Sequence, residues 1–311
     1  MTIQQQAYSG VADQQRMAAL VTQFAADHMH VMDLPYRFSS WAFDEPCNAQ
    51  LWADEQGNVL GWVVMQTPFW GLDYACHPAY VETLLPDMLA WADERAREML
   101  DTPYGRPIWF ANVFTTQTDQ MSVLEASGFA SQADVGENSW TKVLMRQTEN
   151  IVGDGPTELP DGFVIRPLVG SGETREAEAA AYETLHRAAF GSDSMTAAWR
   201  ARTLGQSTYV PELDLVAVAP DGTLAAFCVC WLNDTISPVS GQVEPLGVHP
   251  DYQGLGLGRA ILSEGIRCMY AHGAQAIYVE TDNYRDAAFA LYESVGYHVE
   301  HDVLVYRKDY G

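Results

Sequence analysis

Between Gln253 and Arg259 the chain reads Gln-Gly-Leu-Gly-Leu-Gly-Arg. Alternating glycines let a backbone turn its N–H groups inward with no Cβ in the way. A helix that follows such a turn adds its unpaired first-turn N–H groups and the positive end of its dipole. A pyrophosphate suits such a seat. Two familiar phosphate motifs do not fit. A dinucleotide fingerprint needs G-x-G-x-x-G, but counted from Gly254 the third glycine falls on Arg259, and from Gly256 on Ile261. Glu280 stands about 20 residues on, where a ribose-binding acid would lie, yet too little chain follows to build a Rossmann sheet. The Walker pattern fails because no Lys-Ser or Lys-Thr follows the glycines.

The elements needed to hold this turn can be read from periodicity. Phe163–Leu168 reads as a strand, and the Ala/Glu-rich run Thr174–Phe190 as a helix. Leu215–Leu232 reads as a hairpin turning at Pro220-Asp221-Gly222. A strand ends near His249, and the glycines lead into a helix on which Leu262, Ile266 and Met269 recur at i, i+4, i+7. Ala276–Glu280 is the next strand. A helix around Ala287–Ser294 stops at Gly296, and Val303–Arg307 supplies the last strand.

The first half echoes the second. Leu51–Met65 is again strand, turn, strand, so that Gly57 parallels Gly222. His77-Pro78-Ala79-Tyr80 parallels His249-Pro250-Asp251-Tyr252, and Val123–Phe129 (VLEASGF) parallels Leu291–Tyr297 (LYESVGY). Three landmarks in one order predict a tandem duplication. The domains expected are 1–147 and 161–311, joined by a linker over 148–160 that holds Gly153, Gly155, Pro156 and Pro160. The expected fold class is α/β (α+β): two tandem domains, each a mixed twisted sheet flanked by helices.

With both motifs in place, the second half resembles the GNAT superfamily of acyl-CoA-dependent N-acetyltransferases. Gln253, Gly256 and Gly258 meet its Q/R-x-x-G-x-G/A signature, and Leu291, Tyr292, Glu293, Gly296 and Tyr297 meet its late signature. The resemblance is strong over roughly 161–311 and degenerate over 1–147. The whole is similar to tandem-GNAT proteins, a layout seen in mycothiol synthase-like enzymes, although no residue here points to that substrate. The resemblance implies direct transfer of an acetyl group from acetyl-CoA, the cosubstrate, to a primary amine.

It also implies site residues. The pyrophosphate of CoA would lie on Gln253, Gly254, Leu255, Gly256, Leu257, Gly258 and Arg259, and the pantetheine arm along Leu246, Gly247 and Val248. The Val248 N–H would stabilise the oxyanion. Tyr292 aligns with the general acid that protonates the leaving thiolate. Its counterpart in the first half is Leu124, so packing alone accepts an aliphatic residue there. Glu244 is the candidate base, because simple strand alternation puts Gln242, Glu244, Leu246 and Val248 on one face. Asn283 is the candidate partner for the CoA arm, although the usual family asparagine would fall nearer Arg285. After Tyr80 the first half reads VETLLPDM with no glycine, so no phosphate seat is expected there. A reading of another class is a non-catalytic acyl-CoA-binding or sensing protein.

Composition bounds the partners. The 311 residues carry 41 acidic and 17 basic side chains, a net charge of −24. That field repels phosphate backbones and anionic lipid, so neither nucleic acid nor membrane is expected as a partner, whereas a cationic acceptor would be concentrated. The expected partner is a small-molecule or peptide amine. The five cysteines form no CxxC pair, and no HxxxH or carboxylate cluster suggests a metal. Cys228 and Cys230 read as small core residues on one strand face. No apolar run approaches the ~18–20 residues of a membrane span, and the N-terminus lacks the pattern of a signal peptide. A cytoplasmic protein is expected, either a monomer with pseudo-dimeric halves or a homodimer.

Overall fold

The computed structural model describes residues 2–133, 135, 139–153, 158–168 and 173–311. Part of the expected linker, 154–157 with Gly155 and Pro156, lies outside the described residues. The chain divides into two compact units. Unit 1 comprises Met1–Val143, Asp282–Tyr284 and His301–Gly311, and unit 2 comprises Leu144–Thr281 and Arg285–Glu300.

The chain runs through unit 1 as β1 (Gln4–Ala7), α1 (Val11–Gln23), α2 (Leu34–Phe38), β2 (Ala49–Ala53), β3 (Val59–Gln66), β4 (Gly71–Cys76), α3 (Val81–Met99), β5 (Ile108–Phe114), α4 (Thr118–Ala126) and β6 (Ala130–Ser131). Strands β1 to β4 pair antiparallel in sequence order, and β4 meets β5 in parallel at a single position, Gly71 opposite Phe110. Helix α3 covers the sheet with Leu84, Leu85, Met88 and Leu89. These four join Trp52, Val63, Trp109 and Leu124 in one apolar core. Leu124 is fully buried there, which is the packing role the sequence comparison assigns to it.

After β7 (Thr141–Gln147), unit 2 contains β8 (Val164–Pro167), α5 (Glu173–Phe190), α6 (Ala197–Thr203), β9 (Asp214–Val218), β10 (Leu224–Asn233), β11 (Ser240–Val248), α7 (Leu257–Ala271), β12 (Ala276–Asp282), α8 (Asp286–Glu293) and β13 (His298–Asp309). The last residue of β12 and His301–Asp309 of β13 belong to unit 1. Strands β8 to β11 are antiparallel neighbours, and β11 pairs with β12 in parallel. The apolar stripe expected on α7 is buried: Leu257, Ile261, Leu262, Ile266 and Met269 face inward.

Both units therefore share one topology: an antiparallel meander, a helix, a parallel strand and a second helix. The three sequence landmarks also share their hydrogen bonds. In the hairpins, Gly57 N–H donates to Asp54 C=O at 3.0 Å, and Gly222 N–H to Ala219 C=O at 2.9 Å. His77 Nδ1 accepts the Ala79 N–H and His249 Nδ1 accepts the Asp251 N–H, each at 3.2 Å. After α4, Phe129 N–H reaches back to Leu124 C=O at 3.0 Å, and after α8, Tyr297 N–H reaches Tyr292 C=O at 3.1 Å. Gly128 (φ 85°) and Gly296 (φ 94°) make those two reversals possible.

One expectation changes with the structure. Sequence order assigns Val303–Arg307 to the second domain as its last strand. In the structure Val303–Asp309 pair antiparallel with Phe114–Ile108 of β5, so this segment completes the sheet of unit 1. Tyr306, fully buried, joins the unit 1 core. Pairing between segments far apart in sequence leaves no periodic mark in either segment, and this explains the difference.

Candidate active site

The glycine turn forms as the sequence predicts. A short 3-10 turn over Pro250–Tyr252 ends β11, and Gln253–Gly256 then leads into α7. Gly254 (φ 78°) and Gly256 (φ 83°) adopt left-handed backbone, and nothing lies within 4 Å of where a Cβ would stand on either. Gly256 caps α7 with no side-chain hydrogen bond. No acceptor among the described residues takes the N–H groups of Gly254 to Arg259. These donors lie next to the positive end of a 15-residue helix dipole, an arrangement that suits an anion. Gly258 differs, since its Cβ would rest at 3.4 Å from Val248 Cγ2 and 3.7 Å from Leu291 Cδ2, in ordinary contact. The flanking side chains help to frame the turn. Gln253 Nε2 donates to Val248 C=O at 3.4 Å, Arg259 Nη2 to Ser294 C=O at 3.4 Å, and Leu255 is exposed.

Upstream, β11 and β12 pair only from Ser240–Ala276 to Val243–Val279 and then part. His249 N–H donates to Ala225 C=O, toward β10. Backbone groups alternate along a strand, so the N–H of Val248 points the other way, into the opening between the strands. Leu246, Gly247 and Val248 thus form a half-buried strand edge, not paired with β12, that ends at the glycine turn. This geometry suits an extended arm laid along Leu246–Val248 with its phosphates on the turn.

The structure corrects the simple alternation of β11. Val243 lies opposite Cys230 and Leu246 opposite Cys228, so two residues, Glu244 and Pro245, stand where β10 has one. This bulge shifts the pleat by one residue. Gln242 and Gly247 therefore face α5, where a Cβ on Gly247 would meet Phe227 and Ala189. Leu246 and Val248 face α7 together with the Cys228 and Cys230 thiols, which lie 3.6 Å apart. Gln242, Leu246 and Val248 do not share a face, and Glu244 sits in the bulge between the two registers. Its carbonyl accepts the Trp231 indole N–H at 2.8 Å, and its side chain is half-buried.

Tyr292 lies near the end of α8, 7% exposed, with its ring edge-on to Tyr297 at 5.8 Å. Burial, reinforced by the Glu244 carboxylate, pushes its phenol well above the ordinary tyrosine value. No acceptor among the described residues takes its hydroxyl proton. Tyr182 on α5 is raised by burial as well, again with Glu244 among the charges that act on it. The Glu244 carboxylate thus lies within electrostatic reach of both tyrosines. Asn283 is placed elsewhere, since it belongs to unit 1, where its Oδ1 accepts the Thr141 N–H at 3.2 Å.

Sequence reasoning missed a buried polar cluster beside β10 and β11. Arg200 on α6 is ion-paired with Asp214 and lies over the Tyr182 ring at 3.9 Å, and Tyr209 donates to Asp214 at 2.7 Å. His186 stacks on Phe227 at 5.6 Å. Tyr182, Arg200 and Gln242 are fully buried. The spacing of Tyr182, His186 and Phe190 on α5 carried a signal, but nothing in the sequence marked Arg200 as an interior charge.

Comparison with known proteins agrees with this geometry. Residues 179–297 match the model of the acetyltransferase (GNAT) family, a span that includes the turn, β11 and Tyr292. The chain carries a GNAT acetyltransferase domain. A mycothiol acetyltransferase of Kineococcus radiotolerans is 35% identical over 183 residues, covering 55% of this chain and 54% of that protein. One from Paenarthrobacter aurescens is 33% identical over 166 residues, covering 51% and 48%. The chain thus spans about half the length of the curated relatives it matches. Among solved structures, a GCN5-related N-acetyltransferase from Sphaerobacter thermophilus superposes with a TM-score of 0.63 at 21% identity over 99% of this chain and 95% of that one. A tandem GNAT protein from the clavulanic acid biosynthesis pathway gives 0.63 at 13% identity over 100% and 99%. At such identities the likeness concerns the fold, and in both it runs beyond the GNAT domain through the first half of the chain.

Proposed function

We propose that this protein is an acetyl-CoA-dependent N-acetyltransferase whose donor site and chemistry lie in unit 2. The observation that carries the reading is the glycine turn: left-handed Gly254 and Gly256, open space above them, and unpartnered N–H groups running into α7. Acetyl-CoA supplies the acetyl thioester that a neutral primary amine attacks, forming the C–N bond and releasing the thiolate. Gln253–Arg259 would hold the phosphates, and the edge of β11 at Leu246–Val248 the pantetheine arm. The Val248 N–H, pointing into the opening, would donate to the oxyanion. Glu244 would take the proton lost by the amine, directly or through a water. Tyr292, kept protonated by its burial, would give its proton to the departing sulfur. The names of the relatives support acetyl transfer as the reaction. Unit 1 would bind no donor, because α3 begins directly after the Pro78–Tyr80 turn, with no glycine segment between them.

The test is titration with acetyl-CoA, followed by assay of thiol release against a panel of small-molecule and peptide amines. Binding once per chain with amine-dependent thiol release is expected. Binding without release toward any amine would leave an acyl-CoA-binding protein instead.

A further inference from the structure

Unit 1 holds a cavity of about 50 Å³ where β4 and β5 part, past their single pairing at Gly71 and Phe110. Asp73 and Tyr74 line it from β4, Asn112 from β5, His28 from the segment after α1 and Gln120 from α4. These walls are polar and incompletely bonded. Asn112 Oδ1 and His28 Nε2 are shielded from bulk water, yet neither has a hydrogen-bond partner among the described residues. Polar atoms in that condition cost free energy unless something in the cavity answers them.

The charge of the lining selects the occupant. Among the described residues no Lys or Arg lines the cavity, whereas Asp27 and Asp73 do. Arg37 holds Asp73 from outside the lining through two bonds of 2.7 Å, and each carboxylate oxygen keeps a further lone pair. Burial lowers the His28 pKa to about 4, so the imidazole is neutral at physiological pH. His30, also in the lining, is paired with Asp33 at 2.9 Å. Burial keeps Tyr74 protonated, and its hydroxyl donates to Gln120 Oε1 at 3.1 Å. Arg37 offsets the charge of Asp73, so the site offers the Asp27 carboxylate and several hydrogen-bond acceptors, which disfavour an anion and suit a donor-rich cation. Since one ordered water needs roughly 10–15 Å³, the space takes on the order of four non-hydrogen atoms.

We propose that unit 1 binds a small primary amine in this cavity, its ammonium donating to Asn112 Oδ1 and the Asp73 carboxylate. The site is distinct from the glycine turn of unit 2 and does not depend on the acetyl-transfer reading. In the test, the full chain is titrated with ethanolamine, acetate and ethylene glycol while the Asn112 side-chain amide resonances are followed by NMR. Ethanolamine should shift them saturably and acetate should not. Ethylene glycol, which matches ethanolamine in size but has no ammonium, should bind at least about ten-fold more weakly. Asn112→Leu, with thermal unfolding checked against the parent chain, should lose ethanolamine affinity by a similar factor. The ethylene glycol comparison stands on the unmodified protein should that variant not fold. Absence of an ethanolamine shift at Asn112, equal binding of acetate, or a folded Asn112→Leu chain with undiminished affinity would each overturn the proposal.

Discussion

Two side chains carry the proposed chemistry, and each can be probed by removing little more than a proton site. Tyr292→Phe deletes a hydroxyl that no acceptor among the described residues engages, so the ring packing against Tyr297 should survive. If the hydroxyl protonates the leaving thiolate, single-turnover acetyl transfer should slow by about 10²–10⁴-fold with acetyl-CoA affinity nearly unchanged. An undiminished chemical step would return Tyr292 to a packing role. Because burial raises the phenol, no alkaline limb from Tyr292 should appear in the pH–rate profile of the parent enzyme before its ordinary range near pH 10. Glu244→Gln should remove the acidic limb of that profile, provided chemistry limits the rate. A wild-type profile would exclude Glu244 as the base. In unit 1 the corresponding acid is Asp73, four residues before His77, where Glu244 stands five before His249 with one extra bulge residue between. Arg37 neutralises Asp73, whereas Glu244 sits near the catalytic candidate Tyr292.

At the level of elements, the glycines of the turn are not equivalent. A side chain on Gly256 would force left-handed backbone on an L-residue, at roughly 1–2 kcal/mol, and would project into the space assigned to phosphate. Gly258 has ordinary backbone geometry, and its Cβ would make ordinary contacts. Gly258→Ala should therefore keep acetyl-CoA affinity and leave stability unchanged or raised by up to about 1 kcal/mol through helix propensity. Gly256→Ala should weaken donor binding by at least about ten-fold with the fold retained. Calorimetry settles the ordering. Equal affinities in the two variants would move the phosphates off this turn. The β11 bulge is the other decisive local feature, since it takes Glu244 out of the simple alternation of the strand.

Across the whole molecule, the C-terminal strand links the two ends of the sequence. Val303, Val305 and Tyr306 are buried, each contributing about 1.5–3 kcal/mol by burial, which together rivals the net stability of a domain. Deleting His301–Gly311 should therefore unfold or destabilise unit 1 and bare the edge of β5. Limited proteolysis should show cleavage appearing first within residues 1–143. Residues 1–147 expressed alone lack the same strand and should behave likewise. A truncated chain as resistant as the parent would contradict this account. Acid is a second global probe. Burial lowers His28 to about 4 and His186 to about 3, against an ordinary value near 6.5. Below that ordinary value the unfolded chain binds protons that the folded chain refuses. The histidines therefore cost nothing above about pH 6.5, and stability falls as the pH drops toward 4. The loss should be on the order of 3 kcal/mol per histidine at pH 4. His186→Phe, which retains the stack on Phe227, should flatten part of that decline in urea midpoints. An unchanged slope would mean that carboxylates alone govern it.

The sequence by itself determined what is local. The glycine turn, the stripe on α7, the hairpins and the VLEASGF/LYESVGY reversals all follow from glycine φ freedom and apolar period, and their hydrogen bonds match in the two halves. Tyr292 was legible because its motif is contiguous, and the buried Leu124 matches it in position. Tertiary structure decided what depends on distant partners. The face presented by Glu244 was not legible, because a bulge is visible only once β10 is laid against β11. Nor was the allegiance of Val303–Asp309, since one alternating pattern fits any free sheet edge. The commitment of Asn283 to Thr141, the buried Arg200–Asp214 pair and the cavity around Asn112 likewise arise from residues brought together only by folding. Periodicity reports whether a side chain is buried, but only the assembled sheet fixes what it is buried against.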